Sequence, residues 1–137
     1  MALPNGSGGY QIGDGNINEV DFTVIPAPAT ATATATLTAA QVLNGILLGS
    51  PGTSAASYTL PTVADLEAAL PSATKAGVSF DFSVVNVDGS SAGVITLVTN
   101  TGWTLVGLMT VVATAGTAQM FRARKSGDGA WSLYRVA

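Results

Sequence analysis

The cleanest alternation in the chain runs over residues 78–84, where Val78, Phe80, Phe82 and Val84 are separated by Ser79, Asp81 and Ser83. A period of two places the apolar set on one face of a strand and the polar set on the other. Further β-branched and aromatic runs follow at 93–98, 102–106 and 108–114, divided by turn-forming text at 87–91 and 100–102. Residues 119–124 and 130–136 read as a hairpin across Lys125-Ser126-Gly127-Asp128-Gly129. Upstream, 46–48 and 55–60 predict two more short strands.

Two helices interrupt this pattern. Thr38-Ala39-Ala40-Gln41 fits a capping box, with a turn or two of helix ending at Asn44-Gly45. Residues 61–70 give the stronger signal: Thr62 suits an N-cap, Asp65 and Glu67 lie in the first turns, and Val63, Leu66 and Leu70 share a face. Pro71 ends it. Many strands about ten residues apart predict an all-β fold, a jelly-roll-like sandwich or barrel with one or two short helices.

The text before residue 30 is different. Gly6, Gly8, Gly9, Gly13 and Gly15 come early, Pro26 and Pro28 late, with one apolar stretch at 20–25 between. Glycine-rich text buries too little to offset its ordering entropy. Residues 1–29 are therefore expected to form an extended N-terminal arm, with one brief strand near 22–25, and residues 30–137 a single β-rich domain. Such an arm orders only against a neighbour. Residues 29–36 repeat Ala-Thr four times, which reads equally as a small-residue strand or as a linker.

Composition narrows the functions. The chain has no His and no Cys, which removes Ser-His-Asp and Cys-His catalysis and the commonest transition-metal ligands. A Ser-Lys pair would need Lys75 or Lys125, and both stand in turn-like text. Asp65 and Glu67 are two apart on a helix and do not face each other. From Asp14 oxygen-bearing residues alternate as in a calcium loop, but the sixth position is Glu19 and the twelfth Ile25, so a solvated turn is expected. No phosphate-binding loop is present. No enzyme, cofactor or metal site is expected.

Only 9% of residues are charged and the net charge is −3. An ordinary domain has about 25%. Nucleic acid is not an expected partner, nor is a membrane, since no apolar run approaches the roughly 18 residues of a spanning helix. The start of the chain has neither the basic nor the apolar region of a secretory leader. A surface this poor in charge, rich in Ala, Thr, Ser and Gly, predicts burial against copies of itself or a larger assembly. Arg122 and Arg124 share one strand face and are candidate partner contacts. Trp103 and Trp131 read as core, with Tyr134 on the opposite face.

The segments at 60–70, 79–82, 102–107, 121–124 and 130–135, in that order, resemble capsid decoration (cement) proteins of tailed phages and related head or fibre modules. The resemblance covers about residues 35–136. It implies a β-barrel-like fold, a homotrimer, the major capsid protein as partner, a place on the outer capsid surface of the virion, and no catalytic residues. On that reading the arm supplies the capsid contacts, with Val20, Phe22, Val24 and Ile25 as candidates. A host-recognition or glycan-binding module of a head or tail fibre is the alternative.

Overall fold

The computed structural model describes residues 22–137. The strands are β1 (Ala29–Ala31), β2 (Ala35–Thr36), β3 (Ile46–Gly49), β4 (Ala56–Thr59), β5 (Ser79–Asn86), β6 (Ile95–Val98), β7 (Trp103–Val106), β8 (Thr110–Val111), β9 (Thr117–Gly127) and β10 (Ala130–Arg135), with helices α1 (Ala39–Leu43) and α2 (Val63–Ala69). They form a first sheet of six strands, ordered β1-β3-β5-β9-β10-β7, and a second of four, ordered β2-β4-β6-β8. The fold is mainly β, as the alternation predicts.

The connectivity is not that of a jelly roll. Jelly rolls are built from antiparallel Greek keys. Here the chain alternates between sheets: β1, β3 and β5 lie parallel in the first, β2, β4 and β6 parallel in the second. Three successive passes thus form a coil, and α1 and α2 carry the chain from the second sheet back to the first. Parallel neighbours cannot be joined by a tight turn, and the helices supply the needed crossover. The coil ends where β9 docks antiparallel on β5 and turns back as β10. Strand β7 then closes that edge, parallel to β10.

Both helices form where their caps place them. Thr38 Oγ1 accepts from the Gln41 backbone, and the Gln41 side chain accepts from the Thr38 backbone. Thr62 caps α2 through the Asp65 N–H. Val42, Val63 and Leu66 are the buried residues of these helices. The core between the sheets holds Tyr58, Leu97 and Ile95 from the second sheet against Leu47, Phe82, Phe121, Trp131 and Leu133 from the first. An aromatic row crosses it, with ring centroids 5.7 Å apart for Phe82–Phe121, 6.3 Å for Phe80–Phe82, 5.8 Å for Phe80–Trp131 and 6.2 Å for Trp103–Trp131. These are the separations of favourable tilted pairs.

Several local expectations are corrected. Residues 22–28 contain no strand. The Ala-Thr repeat is neither one strand nor a linker: it forms β1, bends, and crosses to the second sheet as β2. Tyr58 fixes the crossing, its hydroxyl lying 3.0 Å from Ala31 O and 3.1 Å from Thr32 O. The strand expected over 108–114 shrinks to the two residues of β8, because only Ile95 and Thr96 face it on β6. The hairpin loop is shorter than predicted. Strand β9 runs on through Gly127, and Gly129 takes the turn at φ +65°.

Candidate interaction surface

The longer β9 changes the role of Lys125. Phe121, Ala123 and Lys125 share the inner face, so the lysine enters the molecule instead of standing in a loop. Its Nζ donates to Glu67 Oε2 at 2.7 Å and to the Ala73 carbonyl at 3.0 Å. The same carboxylate oxygen accepts from Trp131 Nε1 at 3.0 Å. Lys125's side chain is 7% exposed and Glu67's 26%, so the lysine is the buried partner. The hydrogen bonds from Lys125, then from Trp131, hold the Glu67 carboxyl below the usual carboxylate range. This is a brace between α2 and the hairpin. Its amine bonds a carboxylate rather than a serine, and Glu67 is not the solvated residue its position suggests.

A second brace is centred on Asn86, which is fully buried. Its Nδ2 donates to Gly93 O at 2.9 Å and Val112 O at 3.0 Å, and its Oδ1 accepts from Gly89 N at 2.6 Å. One carboxamide thus ties the β5–β6 loop to the segment after β8. The sequence shows an asparagine at a strand end and gives no sign of these partners.

What remains outward is the uncovered face of the first sheet. Phe82, Phe121, Ala123, Trp131 and Leu133 point inward, so their neighbours along each strand face out. Toward one end of this face stand Arg122, Arg124, Asp81 and Ser79. Arg122 and Arg124 do share an exposed face. Arg122, however, is held by Asp81 across the β5–β9 pair, Nε to Oδ1 at 2.7 Å and a second nitrogen to Oδ2 at 3.0 Å. The forked contact depresses the Asp81 carboxyl and raises the Arg122 guanidinium. The other end of the face is apolar. Met120, Val106 and Val136 are 40%, 46% and 44% exposed, with Leu108 at 63% just beyond β7. Tyr134 stands between Arg122 and Val106 in the strand register. Trp103 and Trp131 are both buried.

Of the candidate arm contacts, Phe22, Val24 and Ile25 are 61%, 96% and 55% exposed. Val20 and the turn at 14–19 lie outside the described residues. The structure does not bring the arm candidates together with Arg122 and Arg124 in one site. Beside α1 a groove of about 550 Å³ opens between the end of α2 and the start of β5. Among the described residues no group of three or more His, Cys, Asp and Glu side chains could hold a metal, and no helix is long and apolar enough to cross a membrane.

No protein-family model, curated protein or solved structure matches this chain.

Proposed function

We propose that this is a structural virion protein, a homo-oligomeric decoration protein, most simply a trimer, that binds the outer surface of a phage capsid and stabilises the head. The observation that carries the reading is the outer face of the first sheet. It joins an apolar end, made by Met120, Val106 and Val136, to a polar end in which Arg122 is already neutralised by Asp81. Such a surface is suited to close contact with a protein lattice, because only Arg124, which makes no ion pair among the described residues, brings an unpaired charge to be desolvated or matched when it is covered. The internal polar groups support the same reading. Lys125, Glu67 and Asn86 are spent on bracing the fold, which leaves a stiff block with a low-charge surface. A single weak contact of this kind, repeated over a shell, acts as a multivalent clamp.

The glycan-binding reading has less support. Sugar platforms need exposed aromatic faces, and both tryptophans are in the core. The test is to delete the protein from the virion, or strip it, and heat the heads. The expected result is DNA loss at lower temperature, reversed by adding the protein back. Heads that survive as well without it, while adsorption to the host falls, would favour the recognition module.

A further inference from the structure

We infer that the free edge at the start of β5, with the groove beside it, receives the arm segment 22–25 of a second copy of this chain as an added strand. The argument begins with the ladder. Strand β5 pairs with β9 over its whole length, but with β3 only from Ser83 to Asn86. Residues 79–82 therefore have one unpaired side.

The direction of the backbone groups follows from the bonds that are made. Ser83 N–H donates to Gly45 O, and Val87 N–H to Gly49 O, so odd-numbered residues of this strand face the β3 side. By the same alternation, Ser79 and Asp81 aim their N–H and C=O groups at the free edge. No described residue bonds to these four groups. The groove lies on this edge. Leu43, Leu70, Pro71, Val78 and Phe80 make it largely apolar. An extended peptide would find a backbone ladder on one side and an apolar trough for alternate side chains, which is the arrangement of strand addition.

The arm has the complementary pattern. Phe22 and Val24 are two apart and exposed, and Val20 continues the spacing backward. Asp21 and Thr23 would then face outward. Charge fits as well. The eight acids and five bases of the chain give −3; residues 1–29 hold three of the acids, Asp14, Glu19 and Asp21, and no base. The remaining five acids and five bases balance, so the arm carries the whole net charge. Two cations stand near this end of β5 without lining the groove: Lys75 in the loop before it, and Arg124, whose guanidinium lies beside Gly77; neither makes an ion pair among the described residues.

The occupant is a second copy because the chain's own arm is committed elsewhere. Asn44 Nδ2 donates to Ala27 O at 2.8 Å, and the arm then enters β1, which lies beyond β3 from β5. In the structure its own segment 22–25 does not fill the groove: Phe22, Val24 and Ile25 are exposed and none of them lines it.

The chain has no cysteine, which permits a direct test. T23C and S79C are made separately; both side chains would stand on the outward face of the added ladder, and both positions are exposed, so the fold should not be affected. The isolated proteins are mixed and oxidised, without capsids, so the outcome does not depend on the virion reading. The expected result is a mixed disulfide dimer joining the two variants, identified by peptide mass. Adding F22D to the T23C chain should slow its formation about tenfold or more, the loss expected when a buried aromatic contact is removed. Absence of the mixed dimer would overturn the inference. So would a T23C/S79C double variant that closes only within one chain, which would assign the groove to the chain's own arm.

Discussion

Replacing Asn86 with Ala should destabilise the fold more than its small size suggests. The side chain is fully buried and makes three hydrogen bonds to backbone groups. The Val112 carbonyl also accepts from Thr114 N–H at 2.8 Å and Thr117 Oγ1 at 3.2 Å, so it keeps partners. The Gly93 carbonyl and Gly89 N–H are in buried residues and would lose theirs. Each orphaned buried group costs about 1–3 kcal/mol, which puts the change at about 2–6 kcal/mol, centred near 4 kcal/mol. For a domain of this size that corresponds to a fall in Tm of about 16 °C. Thermal melts followed by circular dichroism would read it. Asn86→Asp sharpens the test: it keeps an acceptor for Gly89 but sets carboxylate oxygens against two carbonyls, and should cost at least as much. A melt for Asn86→Ala within about 3 °C of the parent would refute the claim that this residue braces the loops.

Other outcomes follow from the same contacts. Glu67→Ala should lower Tm more than Lys125→Met, because the first leaves a buried ammonium with only the Ala73 carbonyl, whereas the second leaves a half-exposed carboxylate that keeps Trp131 and gains water; the reverse order would contradict the brace. The folded carboxyls of Glu67 and Asp81 are held below their unfolded values. Their contribution is therefore complete above about pH 4–5 and lost as pH falls through the depressed folded range. Tm should hold from pH 7 to about 5 and drop below about 4, and a Glu67→Gln/Asp81→Asn variant should drop less; equal falls would contradict this assignment. Gly49→Ala should cost about 1–3 kcal/mol in denaturant unfolding, since a Cβ there strikes Ile95 and crowds the Tyr58 ring; an unchanged midpoint would show that the sheets can part at that point.

The sequence shows local features well and long-range ones poorly, for physical reasons. The N-caps, both helices and most strands depend on residues within a few positions of each other, and the Thr38–Gln41 capping box and the Thr62–Asp65 N-cap bond form as their spacing requires. The burial of Trp103, Trp131 and Leu133 follows from alternation. The coil does not, because its parallel pairs join positions such as Leu47 and Val84, and strands of either orientation read alike one at a time. Lys125 was hidden by the Ser-Gly-Asp-Gly text after it, although continuing the step from Phe121 through Ala123 would have placed it inside. Asp81 and Arg122 were both legible as outward residues, but their pairing depends on the β5–β9 register. Of the interaction surface, the charged end is legible in the sequence and the apolar end is not, because its residues come from two strands and from the segments that follow β7 and β10.

The most direct measurement is binding to undecorated heads with the outer face of the first sheet altered. Met120→Glu with Val106→Glu changes two exposed positions on that face and leaves the core untouched. The variant should melt like the parent but fail to co-sediment with stripped heads and fail to raise their thermal stability. A variant that coats heads to the same copy number and protects them equally would contradict the proposal that this face is the docking surface.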